Sequence, residues 1–181
     1  MFCRILSIGI VFLTGCSGMS MPAQTWQKNP SHFYDYQVSS EFSPAHKQAI
    51  EHSVQQWEFA LQGYLSLQED QPVFPLGIRA DFIRFDSTTT EELQRMHPHP
   101  KSAMGWHSIG WCEYQGIGSH ILLSEDLDDY DFPYVALHEI GHALGLDHSG
   151  ENTVMCESKA CGVSVITEAD IQQFRRVWDQ K

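Results

Sequence analysis

One short segment, HEIGHALGLDH at residues 138–148, places three histidines and a glutamate within eleven positions. His138 and His142 are four residues apart, so on an α-helix both imidazole rings project from the same side and can meet one small cation. A third ligand has to come from beyond that helix. Gly145 can end the helix in a left-handed conformation and turn the chain back, which brings His148 to the same cation. The alternative is a surface helix with solvated histidines.

The rest of the chain predicts a mixture of strands and helices around this segment. The helix that carries the histidines has Asp131 as its N-cap and Pro133 in its first turn. Strands are predicted at 33–39, 78–85 and 116–124, a long amphipathic helix at 43–64, and a closing helix that starts at Thr167. The apolar stripe of the long helix consists of Ile50, Val54, Trp57, Leu61 and Tyr64.

Two of the predicted elements carry further expectations. Ile78–Phe85 has apolar residues on both faces, which is typical of a central strand covered on both sides. Trp57 lies on the apolar stripe of its helix, so we interpret it as a core residue and not as a ligand-stacking residue.

Size and charge limit the partners. A chain of 181 residues with 42% hydrophobic residues is long enough for one folded domain with its own core. It has 11 Lys and Arg against 23 Asp and Glu, a formal net charge of −12, and no basic stripe. A phosphate backbone would be repelled, so we expect no nucleic-acid partner. We expect a monomer.

The N-terminus reads as an export signal. Residues 5–13 form an apolar run of signal-peptide length, and the sequence LTGC that ends at Cys16 resembles the lipobox of bacterial lipoproteins. We therefore divide the chain into a signal peptide at 1–15, a lipidated linker at 16–32 and a folded domain at 33–181 that carries the histidine segment. The expected location is the bacterial cell envelope, anchored through Cys16, in the outer membrane because Ser17 is not aspartate. The alternative is an ordinary secretory signal.

The full pattern H-E-x-x-H-x-x-G-x-x-H followed by Met155 resembles the metzincin zinc endopeptidases. Ser149 after the third histidine makes it most similar to the matrixins, the branch of the matrix metalloproteinases, over residues 33–179. The resemblance implies an α/β fold, with a twisted, mostly parallel sheet, long helices and a small C-terminal subdomain beyond Gly145.

The same resemblance implies a zinc metalloendopeptidase and assigns its residues. One catalytic Zn²⁺ is held by His138, His142 and His148; Glu139 is the general base; Met155 forms a turn beneath the histidines. The substrate is a protein or peptide that lies along the outermost strand, expected at 116–124. The rival function is a non-catalytic, metal-containing envelope lipoprotein that binds a protein or peptide partner. Glu139 favours the enzyme, because a binding protein needs no base beside the metal.

The segment after Met155 departs from the family. Matrixins have a Pro-x-Tyr stretch there, whereas residues 156–165 read CESKACGVSV, so the family's substrate preference does not transfer. In an oxidising compartment Cys156 and Cys161 are the first choice for a disulfide, which would leave Cys112 as a thiol.

Two weaker patterns stay open between a site and a solvated loop. His97, His99, His107 and His120 are compared with the structural zinc site of animal matrixins, but the His-x-Asp spacing of that site is missing. The acidic run SEDLDDYD at 124–131 has the carboxylates for Ca²⁺, although a solvated acidic loop is favoured.

Overall fold

The computed structural model describes residues 33–62, 64–69, 82–96, 110–114, 118–157 and 163–179. The predicted signal segment and linker, including Cys16, lie outside these ranges. The lipidation and the domain boundaries therefore stay predictions. Within the described ranges, no helix is both long and apolar enough to cross a bilayer.

Strands and helices alternate along these ranges. In chain order they are β1 (Phe33–Val38), α1 (Pro44–Ala60), β2 (Ser66–Glu69), β3 (Phe82–Thr88), α2 (Thr90–Met96), β4 (Gly110–Tyr114), β5 (Gly118–Ser124), α3 (Phe132–Ala143) and α4 (Glu168–Asp179). All the predicted strands and helices are present, although α1 ends at Ala60, four residues before the predicted end at Tyr64. Three short elements, β2, α2 and β4, were not predicted from the sequence, because segments of four to seven residues show little periodicity.

The five strands form one sheet in the order β2-β1-β3-β5-β4. The first four in this order run parallel, and β4 pairs antiparallel with β5. This is the predicted mixed α/β fold with a mostly parallel sheet. The expectation that residues 116–124 form the outermost strand is wrong, because β4 pairs with the outer side of β5 and is itself at the edge.

Strand β3 is central, as predicted, but only one of its faces is in the core. Ile83 and Phe85 are buried, and Phe85 is paired with Ile121 of β5. The side chain of Arg84 between them is 57% exposed, and its Nε lies 2.7 Å from Asp86 Oδ2. The expectation of a strand covered on both faces is therefore wrong for the described part of β3.

Helix α1 buries most of the predicted stripe and fixes the position of α3. Tyr64, the last residue of that stripe, lies beyond the end of the helix and is half-buried. Ser43 Oγ accepts a hydrogen bond from the His46 backbone N–H at 3.1 Å, which is the expected N-cap. Trp57 is fully buried, and its indole N–H donates to the Leu137 carbonyl of α3 at 2.9 Å. The two helices pack side by side against the sheet, so Trp57 is a core residue, as expected.

Helix α4 closes the C-terminal part of the fold. Phe174 and Trp178 are buried on its inner face. The indole N–H of Trp178 donates to the Leu144 carbonyl at 3.1 Å, just after α3 ends. Because of this contact, α4 packs against the turn through which the chain leaves the histidine helix.

Candidate metal centre

Helix α3 carries two of the three histidines into the core, and its start differs from the prediction. Asp131 occupies the N-cap position with Pro133 in the first turn, but its backbone is helical and its side chain makes no capping hydrogen bond. Instead, the carboxylate of Asp128 accepts from the N–H groups of Tyr130 and Asp131, at 3.1 and 2.8 Å. The predicted side-chain cap by Asp131 is therefore wrong, and Asp128 organises this turn.

The end of α3 follows the prediction. Gly145 has a φ of 86°, a conformation that side chains with a Cβ rarely adopt. Its N–H donates to the His142 carbonyl at 2.9 Å, and the Leu146 N–H donates to the Gly141 carbonyl at 3.0 Å. These two bonds form a Schellman turn, and the reversed chain brings His148 back towards α3.

The three histidine rings converge at their Nε2 atoms. His142 Nε2 lies 3.1 Å from His138 Nε2 and 3.2 Å from His148 Nε2, and the potential ligand atoms of the trio all lie within 4.8 Å of one another. A tetrahedral zinc ion with Zn–N distances of about 2.0–2.1 Å places its nitrogen ligands about 3.3 Å apart. The trio therefore fits one zinc ion.

The hydrogen bonds on the far side of two rings fix the tautomers. His138 Nδ1 lies 2.7 Å from the Val154 carbonyl oxygen, and His142 Nδ1 lies 2.8 Å from that of Leu146. Because a carbonyl oxygen only accepts, each Nδ1 carries the proton, and the neutral ring has its lone pair at Nε2. Two lone pairs that face each other at 3.1 Å repel, and a bound cation removes that repulsion.

Burial keeps these rings in the form that binds metal. It lowers the pKa of His138 to about 4, and burial together with the neighbouring His138 and His148 rings lowers the pKa of His142 well below its usual value. Burial also lowers the pKa of His148. All three imidazoles are therefore neutral near pH 7, as metal ligands must be.

Glu139 directly follows His138 on α3 and is only 4% exposed. Tyr134, one helical turn before His138, has its ring centroid 6.4 Å from that of His138. Burial, and then the charges of Asp170 and Glu139, raise the pKa of Tyr134. The Tyr134 hydroxyl is buried and has no hydrogen-bond partner in the described structure. The base predicted from the sequence is thus a buried carboxylate in poorly hydrated surroundings.

Met155 lies in a turn directly after the histidine segment and is fully buried. The Ser149 N–H donates to the Met155 carbonyl at 2.8 Å, which ties this turn to the residue after His148. A Cβ at Gly141 would overlap Met155 Sδ and lie 3.1 Å from Cζ2 of Trp57. The Met155 sulphur therefore fills the space that Gly141 leaves on the helix between the ligands.

The remaining cysteines and histidines are only partly described. Cys156 is disulfide-bonded, but its predicted partner, Cys161, lies outside the described residues, so the pairing stays a prediction. Cys112 is a buried thiol in β4.

His120 Nε2 lies 2.8 Å from Asp86 Oδ2. The other histidines considered for a structural zinc site lie outside the described ranges: His97, His99 and His107.

The acidic loop gives the calcium prediction no support. Asp126 Oδ2 accepts from the Thr90 N–H at 2.7 Å, and Glu125 Oε2 accepts from Ser87 Oγ at 3.2 Å. The Asp128 carboxylate binds the turn before α3. These carboxylates bind neighbouring donors of the fold, and the histidine trio is the metal-ligating group found among the described residues.

Several groups that shape the site were not predicted from the sequence. Gly141 lies inside the histidine motif, but the sequence does not show that this position has to be small, because Met155 contacts it only in the folded chain. Asp170 follows Thr167 by three residues, and this capping-box spacing was a signal that could have identified it. The carbonyl groups of Leu146 and Val154 have no signature in the sequence, because every residue carries one.

The chain resembles known proteins in sequence and in fold. The matrixin family model matches residues 25–178. Karilysin from Tannerella forsythia is 25% identical over 174 residues, which is 92% of this chain and 35% of karilysin, so the chain spans about a third of that relative's length. Among solved structures, archaemetzincin from Methanopyrus kandleri superimposes with a TM-score of 0.47 and 15% identity, over 85% of this chain and 99% of that one.

The matrixin match is the comparison that identifies the chain. It includes all three histidines of the trio and extends from the segment before β1 into α4. Because it covers well over half of the 181 residues, the chain belongs to the matrixin family of zinc metalloproteases.

Proposed function

We propose that this protein is a zinc endopeptidase that hydrolyses peptide bonds of proteins or peptides, with Glu139 as its general base. One observation carries the proposal: two buried imidazoles direct their Nε2 lone pairs at each other at 3.1 Å, an arrangement that a bound cation stabilises. The resemblance to karilysin and the matrixin match support the same class.

Each part of the site has a role in the reaction. The chemistry that zinc supplies when bound at the histidine trio is Lewis acidity, which activates water and polarises the scissile carbonyl. The Glu139 carboxylate accepts a proton from the attacking water, whose oxygen bonds to the carbonyl carbon. As the C–N bond breaks, the same carboxyl group delivers the proton to the leaving amine nitrogen. The buried position of Glu139 keeps competing water away from this transfer.

The edge strand suggests how the substrate is held. β4 lies at the edge of the sheet and against α3, which carries Glu139 and two of the ligands. An extended peptide that pairs with β4 would place its backbone beside the histidine trio, through main-chain hydrogen bonds that depend little on its sequence. We therefore propose that β4, and not β5, is the substrate-binding strand.

The test replaces Glu139 by glutamine in the full-length protein. Wild type should cleave casein, lose this activity with a chelator and regain it with zinc. Glu139→Gln keeps the size of the side chain but cannot take the proton, so we expect at least a 100-fold lower rate with zinc content unchanged. Glu151→Gln, at an exposed loop position, is the matched control and should retain full activity.

The possible results separate the enzyme from the non-catalytic lipoprotein. Cleavage by Glu139→Gln at the wild-type rate would refute the assigned mechanism. A wild-type protein that binds zinc but cleaves neither casein nor a diverse peptide library would instead be the binding lipoprotein.

We further propose that the protein is exported and anchored to the outer membrane through a lipid on Cys16. The supporting feature is the LTGC sequence after a short apolar run. Membrane fractionation on a density gradient should find the wild type with the outer membrane and Cys16→Ser in the soluble fraction. If Cys16→Ser is also recovered with the outer membrane, the anchor is not on this cysteine.

A further inference from the structure

The carboxylate of Asp170, in the first turn of α4, is fully buried although it is not part of the histidine trio. It accepts hydrogen bonds from the N–H and Oγ1 of Thr167, at 2.9 and 2.7 Å. It also accepts from the N–H groups of Val154 and Met155, at 3.2 and 3.3 Å. Burial of a carboxylate is costly unless hydrogen bonds compensate. Four donors therefore converge on a group that the proposed reaction does not use.

The peptide group between Val154 and Met155 links Asp170 to a metal ligand. Its N–H, from Met155, donates to Asp170 Oδ1 at 3.3 Å. Its carbonyl, from Val154, accepts the Nδ1 proton of His138 at 2.7 Å. One rigid peptide plane is thus held by the carboxylate on one side and orients the imidazole on the other.

The charge of Asp170 also acts through this peptide. A negative carboxylate attracts the peptide N–H and shifts electron density towards the carbonyl oxygen, which makes that oxygen a stronger acceptor. A stronger bond to Nδ1 holds the proton there and leaves electron density at Nε2. Hydrogen bonds of this kind to ligating histidines fix the ring orientation and contribute to metal affinity.

Helix α4 makes a second polar contact near the site. Gln173 Nε2 donates to the Asp147 carbonyl at 2.9 Å, immediately before His148. The helix therefore contacts both segments that follow α3, the Met155 turn through Asp170 and the His148 loop through Gln173. Of these two contacts, the Asp170 contact includes a charged group and continues by hydrogen bonds to a ligand.

We propose that Asp170 is a positioning residue for zinc binding, which holds His138 in its metal-binding tautomer and orientation through the Val154–Met155 peptide. The inference rests on the proposed function, because the cation concerned is the zinc of that site. It adds a residue of α4 to a site whose ligands lie at 138–148.

The test measures zinc affinity in the full-length Asp170→Asn variant by competition with a chromophoric chelator. The amide removes the charge and turns an NH₂ group towards backbone donors, so we expect zinc to bind about 10–100-fold more weakly. The Co²⁺-substituted variant should also show a shifted visible absorption spectrum, because the geometry around His138 changes. A change that only affects overall folding would leave that spectrum as in wild type.

The control is Phe174→Leu, one turn further along the same helix. Phe174 is fully buried, so this change lowers the melting temperature without removing a hydrogen bond to the Met155 turn. Its zinc affinity should stay within about twofold of wild type and its Co²⁺ spectrum unchanged. If Phe174→Leu weakens zinc binding as much as Asp170→Asn does, the effect is general destabilisation and the proposal is wrong.

The zinc affinities of the variants and of the wild type also decide between the two proposals. Asp170→Asn with wild-type zinc affinity refutes the proposal. If that variant does not fold, Thr167→Val removes one of the four hydrogen bonds and should weaken zinc binding by about two- to tenfold; unchanged affinity there also refutes it. Zinc affinity is measured without peptide cleavage, so a protein that binds zinc but does not hydrolyse peptides overturns the proposed function alone. A wild type that binds no zinc overturns both.

Discussion

At the scale of single residues, the site depends on imidazoles that stay neutral because they are buried. Burial lowers the pKa of His138 to about 4, and the bond from its Nδ1 to the Val154 carbonyl directs the lone pair at Nε2. The same environment that prepares the ring for a cation also makes its protonation unfavourable. The histidines of the trio are therefore a source of acid sensitivity in the metal-free protein.

Lower pH should destabilise the metal-free protein in a defined window. In the unfolded chain His138 has its ordinary pKa of 6.5, and in the folded chain its pKa is about 4. Between these values the unfolded chain binds a proton that the folded chain does not, so the free energy of unfolding falls as pH falls. We expect His138 alone to contribute a loss of about 2 kcal/mol between pH 7 and pH 5, measured by urea unfolding with chelator present.

The matched variants are His138→Asn and His52→Asn. His138→Asn should show a weaker pH dependence of unfolding in this window, whereas His52→Asn, on the exposed side of α1, should behave as wild type. An identical pH dependence in wild type and His138→Asn would show that burial of this ring is not the cause.

At the scale of elements, the histidine helix is held between two others and a turn. Trp57 of α1 contacts it through the Leu137 carbonyl, and Trp178 of α4 contacts the Leu144 carbonyl just beyond its end. The Met155 turn lies against it at Gly141. The positions of the ligands on α3 are therefore fixed by packing from several sides and not by the helix alone.

A methyl group at Gly141 should disturb this packing. Alanine normally stabilises a helix interior by up to about 1 kcal/mol relative to glycine. Here its Cβ would overlap Met155 Sδ and press on Trp57, and both residues are fully buried. Overpacking costs about 1–3 kcal/mol, so we expect Gly141→Ala to reduce the free energy of unfolding by about 1 kcal/mol or more, and to weaken zinc binding.

Gly150→Ala is the control for this change. A Cβ at Gly150 meets nothing within 4 Å, so the variant should match or slightly exceed wild type in chemical denaturation. If Gly141→Ala is as stable as Gly150→Ala, the Met155 turn moves to make room for the methyl group, and the predicted overpacking is wrong.

At the scale of the whole molecule, the three histidines that could hold zinc come from two segments that meet only in the folded chain. Two lie on α3, and His148 lies beyond the turn at Gly145. A cation that binds all three selects the folded state, and its contribution to stability grows with the free zinc concentration. Binding of such a cation and folding of the chain are thus coupled.

Removal of zinc should lower the thermal stability of the protein. At a free zinc concentration about 100 times the Kd, the expected stabilisation is about 2.7 kcal/mol, or roughly 5–10 °C in Tm for a domain of this size. Differential scanning calorimetry with buffered zinc checks this, and His148→Ala should show a much smaller shift. A wild-type Tm that is independent of zinc would contradict a preformed three-histidine site.

Much of the site could be predicted from the sequence because its determinants are local. Helical spacing puts His138 and His142 on one side of α3, and a glycine at the helix end permits the turn that returns His148. These effects depend on backbone geometry within a few residues, so the amino-acid sequence was enough to predict that the three histidines converge. The apolar stripe of α1 followed from the same periodicity.

Only the tertiary structure decided the groups that come from distant segments. The position of β4 outside β5 depends on which strand pairs with which, and that choice is made by burial and hydrogen bonding across the whole sheet. The same holds for Asp170, whose carboxylate accepts hydrogen bonds from two backbone N–H groups that lie 15 and 16 residues earlier in the chain. The convergence of the three histidines therefore follows from short-range steric effects, which the sequence determines. The residues that hold the histidines in place are brought together by long-range packing, which only the tertiary structure decides.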